Sequence, residues 1–151
     1  MESVSGKMEV AYRKKVSLLR ELLGCLVQEK ENLIVPNVQN LWSLMEEKQR
    51  LLVSISEAEE EIRGLRNQET CVREASGTDR NPVVVLSHEI RRLGEEIKAR
   101  VRENVSFIQE TLLFFDQIIS IFASGGRVEY SYPPVLKRQR AFSSPIYKRE
   151  V

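Results

Sequence analysis

The sequence predicts an all-α fold: an antiparallel bundle of three long helices with coiled-coil-like packing and a flexible C-terminal tail. Charged residues make up 30% of the 151-residue chain and hydrophobic residues 42%, while aromatic residues are only 7%. That balance is typical of long helices with one apolar face. Apolar residues recur every three or four positions in three long stretches, each closed by proline or glycine, and such short links favour antiparallel neighbours.

The first helix is predicted at about residues 7–35. Pro36 disfavours helical geometry at Val35 and lacks a backbone donor, so the chain is expected to break or kink there. The apolar stripe consists of Val16, Leu19, Leu22, Leu23, Leu26, Val27, Leu33 and Ile34.

The second helix is predicted at about residues 37–75. Its outer face is dense with charge, and the acidic run from Glu57 to Glu61 is interpreted as a solvated surface. The predicted stripe is Val38, Leu41, Met45, Leu52, Ile55 and Ile62, with Leu44, Leu51, Ala58 and Leu65 on its flank.

The third helix is predicted at about residues 82–123, after the breaker sequence SGTDRNP. Asn81 suits the N-cap, and Pro82 suits the first helical position. The glycines of SGG, residues 124–126, end it. Its predicted core stripe is Ile90, Leu93, Ile97, Val101, Ile108, Leu112, Phe115, Ile119 and Phe122.

We therefore expect two regions: a helical bundle over residues 1–123 and a flexible basic tail over 124–151. The tail has six basic and two acidic residues, a net charge of +4. The whole chain carries +1, so the bundle carries −3. The tail mixes these charges with aromatic residues, and nucleic-acid binding is one interpretation of such a mixture. Partner docking or solubilisation is favoured instead, since no recognition fold precedes the tail, and no nucleic-acid partner is predicted.

The sequence predicts no enzyme. The single histidine, His88, is interpreted as a surface residue, and the two cysteines, Cys25 and Cys71, lack metal-site or redox spacing. No catalytic, cofactor or metal site is predicted. The polar N-terminal sequence and the lack of an apolar run near about 20 residues predict a cytoplasmic chain without membrane insertion.

Protein binding remains, and the end of the third helix is the most apolar part of the chain. Eleven of the 18 residues in VSFIQETLLFFDQIISIF, residues 105–122, are apolar. They form two stripes: the core stripe above and a second stripe of Phe107, Phe114, Ile118 and Ile121. Either both stripes are buried in the bundle, or the second stripe binds a partner. That partner would be an amphipathic helix or a second copy of the chain.

The pattern Leu-x-x-Glu-Lys-x-x-Leu-apolar occurs twice, in LVQEKENLI (26–34) and LMEEKQRLL (44–52). The two copies would pack the first helix on the second, with the Glu-Lys pairs at the edge of the apolar seam, where their stems cover the contact.

Residues 22–65, which contain both copies, resemble the FlgN family of flagellar export chaperones. NVSFIQETLLFFDQII (104–119) is similar to the apolar third helix of that family, and VEYSY (128–132) to the tyrosine-containing segment that follows it. The resemblance spans roughly residues 10–132.

The resemblance implies a cytosolic chaperone that binds the hook–filament junction proteins FlgK and FlgL through helix-forming terminal segments. It would present them to a component of the type III export gate, without a nucleotide of its own. The predicted partner-binding residues are Phe107, Phe114, Ile118 and Ile121, with Tyr130 and Tyr132 as further docking residues. The alternative is a self-associating coiled-coil adaptor without export cargo.

Overall fold

The structure is a computed structural model that describes residues 3–70 and 81–124. These residues form three helices, α1 (Val4–Ile34), α2 (Val38–Thr70) and α3 (Pro82–Ala123), and contain no strand. The predicted all-α bundle is confirmed. α1 begins three residues earlier than predicted. Residues 71–75 of the predicted second helix, and the predicted tail after Ser124, lie outside the described residues.

Residues 1–112 and 113–151 form two compact units. The described part of the second unit, residues 113–124, comprises the last turns of α3 and Ser124. All contacts between helices described below belong to the first unit.

Side-chain caps determine where the helices begin. The Gly6 N–H donates to Ser3 Oγ at 3.2 Å, the Asn40 N–H to Asn37 Oδ1 at 3.1 Å, and the Val83 N–H to Asn81 Oδ1 at 3.0 Å. Each bond satisfies a donor that the first helical turn leaves unpaired. The predicted cap at Asn81 is therefore confirmed.

Pro36 separates two helices rather than bending one. Val35 adopts extended geometry (φ −108°, ψ 95°), as the residue before a proline prefers, and its N–H donates to Glu31 O at 3.0 Å. α2 then starts at Val38. The end of α1 is thus determined by Pro36 and its effect on the preceding residue, which the sequence predicts.

The core lies among the three helices of the first unit. Its larger cluster has four residues from α1, three from α2 and one from α3: Val16, Leu19, Leu22, Cys25, Leu44, Leu51, Ile55 and Leu93. A smaller cluster near the start of α1 contains Met8, Ala11, Tyr12 and Ile62. Leu93 is the most buried residue of α3 together with Asn104, each 2% exposed.

The predicted core stripe of α2 is wrong in its first half. Val38, Met45 and Leu52 are exposed, whereas Leu44 and Leu51 are buried. Each buried leucine is adjacent in sequence to an exposed apolar residue, so apolar identity alone does not say which of the two faces inward. Leu44, Leu51 and Ala58 recur every seven residues, which is the seam of a coiled-coil-like contact.

The two copies of the repeated pattern do pack α1 on α2. Leu26, Leu44 and Leu51 are buried, and Leu33 is half-buried. Glu29 of the first copy forms an ion pair with Lys48 of the second copy. Both side chains are mostly buried, at 17% and 24% exposed. The prediction that the Glu-Lys pairs flank the helix contact is confirmed for these two residues.

The packing predicts unequal effects of two leucine truncations. Leu93→Ala should lower the free energy of unfolding by about 2–5 kcal/mol, because it removes a buried side chain and leaves a cavity. Leu52→Ala, at an exposed position, is the matched control and should change it by no more than about 0.5 kcal/mol. Urea unfolding followed by circular dichroism measures both. Equal losses would contradict the core assignment of Leu93.

The environment of Cys25 predicts a slowly reacting thiol. Burial raises the pKa of the Cys25 thiol, although nearby Lys48 partly opposes the effect, and only the thiolate attacks alkylating reagents. In a Cys71→Ser variant, iodoacetamide should therefore label Cys25 slowly, with a rate that still rises with pH above the ordinary thiol range. Urea should remove the protection. Equal rates with and without urea would contradict the burial of Cys25.

Candidate partner-binding surface

A polar cluster joins the three helices near the end of α1. The Asn104 side-chain amide donates to Leu26 O at 2.9 Å and to Glu29 Oε2 at 2.8 Å, and Glu29 also pairs with Lys48. Asn104 is the buried polar residue of the described chain. These contacts hold the three helices together at the position of Asn104 along α3.

Packing along α3 changes at Asn104. Before it, Leu86, Ile90, Leu93 and Ile97 belong to or contact the core. After it, no side chain from Val105 to Ser124 is buried. α1 ends at Ile34, five residues after Glu29, so little of α1 remains to cover the part of α3 that follows Asn104.

The four predicted binding residues on α3 all retain accessible surface. Phe114 is 59% exposed and Ile121 is 44% exposed, while Phe107 and Ile118 are half-buried. The ammonium of Lys30 lies 5.4 Å from the centroid of the Phe107 ring, a cation–π contact between α1 and α3. Tyr130 and Tyr132 lie outside the described residues.

The second half of the predicted core stripe on α3 is not core. Five of its members are exposed, most of all Phe122 at 82%; the five are Ile108, Leu112, Phe115, Ile119 and Phe122. Val101, within the bundle, is also 41% exposed. Helical periodicity identifies which residues share a face, but the residues available to cover that face decide whether it is buried. Each of the two stripes therefore has exposed apolar residues.

Residues 105–123 of α3 contain few charged side chains, and these are acidic. Glu110 and Asp116 are the charged residues between Val105 and Ala123. Glu110 accepts a hydrogen bond from Ser106 Oγ at 2.9 Å. The rings of Phe114 and Phe115 lie 6.1 Å apart at 60°, an arrangement that aromatic pairs prefer.

A second exposed apolar group was not predicted from the sequence. Four residues where α1 joins α2 are all more than half exposed: Ile34, Val35, Val38 and Trp42. They flank Pro36, and the sequence assigned Ile34 and Val38 to core stripes. The isolated tryptophan was the available signal, because exposed tryptophans are enriched at binding sites.

Two further features of the described residues bear on metal and small-molecule sites. These residues contain no group of three or more His, Cys, Asp or Glu that could hold a metal ion. An open cleft lies at the other end of the first unit, between Tyr12, Glu59 and Arg66. Arg66 donates to the Tyr12 hydroxyl there, and Lys15 pairs with Glu59 at 2.8 Å.

By length and composition, α3 could cross a membrane. An 18-residue window within it has a mean hydropathy of 1.4, and none of that window is buried. This window is an exception to the prediction that the sequence has no apolar run near the length of a membrane span. Helices that bind apolar partners pass the same test, and the expected absence of membrane insertion stays a prediction.

Comparison with known proteins gives one match, to a protein family. The family model described as "FlgN protein" matches residues 7–133, most of the chain. No curated protein and no solved structure matches. The matched residues include most of α1 and the whole of α2 and α3. The chain therefore belongs to the FlgN family of flagellar export chaperones.

Proposed function

We propose that this chaperone binds hook–filament junction proteins of the FlgK/FlgL type in the cytoplasm and delivers them to the type III export gate. The observation that carries the proposal is the exposed state of α3 after Asn104, where no side chain is buried up to Ser124. Contiguous apolar surface of this kind usually marks an interaction site. The family accounts for a chaperone role, and the surface suggests how cargo is held.

The occupant proposed for this surface is a cargo segment that becomes helical on binding. An amphipathic helix presents apolar residues every three or four positions, which match the spacing of Phe107, Phe114, Ile118 and Ile121. Ordering such a segment costs conformational entropy, so affinity is moderate for the area covered. Moderate affinity suits a chaperone that has to release its cargo.

Charge supplies a further element of selectivity. Glu110 places a carboxylate beside the apolar residues of α3, so a cargo helix with lysine or arginine beside its apolar stripe is favoured. Acidic cargo helices are disfavoured, because like charges brought together at an interface are costly. Apolar contact supplies most of the affinity in this arrangement.

Contact with the export gate is proposed for the basic tail, 124–151, with Tyr130 and Tyr132 as docking residues. The tail follows α3 directly in sequence, and its charge is opposite to that of residues 1–123. Cargo binding and gate binding would then use different parts of the chain. Neither step requires catalysis or a cofactor.

Self-association is the competing function, and the same exposed surface favours it. A second copy could cover Leu112, Phe115 and Ile119, which are all more than half exposed. The two functions differ in what covers α3, which light scattering of the purified chain measures. A stable oligomer that does not dissociate when cargo is added would favour the structural role.

Two double substitutions test the cargo surface. Phe114→Ser with Ile118→Ser should weaken binding of a purified FlgK-type protein by at least about tenfold, because central interface residues each contribute about 2 kcal/mol or more. Isothermal titration calorimetry measures the affinity. Helicity should be unchanged, since neither side chain is buried.

The chain itself provides a matched control. Phe115→Ser with Ile119→Ser removes the same two residue types one position along the same helix, from side chains that are 53% and 63% exposed. This variant should bind cargo more tightly than the first. If the control variant bound cargo more weakly than the first variant, Phe114 and Ile118 would be rejected as the binding residues. If both variants kept the affinity of the unaltered chain, α3 would be rejected as the cargo site.

A further inference from the structure

The arrangement of α3 in the first unit is not the one that apolar burial alone would select. The part that packs against α1 and α2 contains Gly94 and charged residues, whereas the more apolar part, after Val105, is exposed. α3 runs in the same direction as α1, since Arg20 pairs with Glu89 and Leu26 O accepts from Asn104. Sliding α3 toward the start of α1 would bring its apolar half into the core.

Only a few slides preserve the buried face of a helix. Shifts of four, seven or eleven residues correspond to about one, two or three turns of about 3.6 residues. A shift of four would put Gly94 in the place of Ile90, and a shift of seven would put Arg100 in the place of Leu93. The first loses packing and the second buries a charge, so both are disfavoured.

A shift of eleven residues is opposed at three positions. Gly94 would take the place of Val83, which contacts the smaller core cluster, and Arg100 would take the place of Glu89 beside Arg20. Three apolar residues would replace the apolar residues now packed: Ile97 for Leu86, Val101 for Ile90, and Ile108 for Ile97. Asn104 would take the place of Leu93, which is 2% exposed. The helix would move about 16.5 Å.

Asn104 therefore opposes that slide in two ways. In the observed register its amide donates to Leu26 O and Glu29 Oε2, and Glu29 pairs with Lys48 of α2. In the shifted register the same amide would lie in the larger apolar cluster, at the position now held by Leu93, without those acceptors. A single buried asparagine sets register in coiled coils by this means.

Asn104 is also incompletely satisfied where it is. Its Oδ1 is buried and accepts no hydrogen bond. An unsatisfied buried carbonyl lowers stability, and an apolar side chain at this site would avoid that loss. The presence of asparagine is thus better explained by selection of one register than by maximal stability.

We infer that Asn104 is a positioning residue that holds α3 in the register that leaves its apolar end exposed. In this role it touches no partner; it acts through Leu26 and Glu29 on where α3 lies. The inference about register stands on the bundle alone, and its link to cargo binding rests on the proposed function.

Thiol cross-linking reports the register directly. In a Cys25→Ala, Cys71→Ser background, Arg20→Cys with Glu89→Cys places two thiols where the observed register has an ion pair. Arg20→Cys with Arg100→Cys places them together only after the eleven-residue shift. A short bismaleimide should link the first pair and leave the second unlinked, because the second is about 16.5 Å further apart along the helix.

Asn104→Leu should then raise the yield of the Arg100 pair by at least about tenfold, while total helicity and melting temperature are maintained or increased. Gln109→Leu is the matched control: it adds the same side chain to an exposed position of α3 and should leave only the Glu89 pair linked. Glu29→Gln, which keeps an acceptor for the Asn104 amide, should also retain the observed register.

Should Asn104→Leu fail to fold, Asn104→Ala replaces it. If, in the Asn104 variant, the bismaleimide links Arg20→Cys only to Glu89→Cys and not to Arg100→Cys, the inference is overturned. Loss of helicity in both variants would overturn it too, because Asn104 would then be needed for folding rather than for register. Cargo affinity is measured separately: Asn104→Leu should lower it and Gln109→Leu should not. Failure of the unaltered chain to bind cargo would refute the proposed function and leave the cross-linking result intact.

Discussion

The constraint on which this structure depends is the unequal length of its helices. α3 has 42 residues, while α1 and α2 have 31 and 33. At about 1.5 Å per residue, α3 is therefore about 16.5 Å longer than α1 and cannot be covered along its whole length by it. Pro36 ends α1, and the exposed apolar residues of α3 are the consequence. Burial within the first unit and exposure after Asn104 have this common cause.

The polar cluster of Asn104, Glu29 and Lys48 has a different role from the apolar core. The leucine contacts supply most of the stability, but many registers of a leucine-rich helix give similar contacts. Directional hydrogen bonds from Asn104 distinguish one register from the others. The cluster also connects the repeated Glu-Lys pattern to α3, because Glu29 contacts both Lys48 and Asn104. Stability and specificity are thus carried by separate groups of residues.

Membership in the FlgN family is consistent with the exposed apolar residues of α3. A chaperone needs an apolar surface that is available to cargo yet does not collapse onto its own core. Helix length makes the surface available, and the fixed position of α3 keeps it so.

The sequence by itself determined the helical class, the break at Pro36, the cap at Asn81 and the family. These features arise from local backbone preferences and from apolar periodicity, which neighbouring residues express without tertiary contacts. Only the tertiary structure decided that Leu44 and Leu51 face the core while Met45 and Leu52 do not. It also decided that the stripe from Ile108 to Phe122 is exposed and that Asn104 bonds to Leu26 and Glu29. Periodicity defines a face of a helix, but burial depends on which other helices reach that face, and the lengths and register of those partners are properties of the packed molecule.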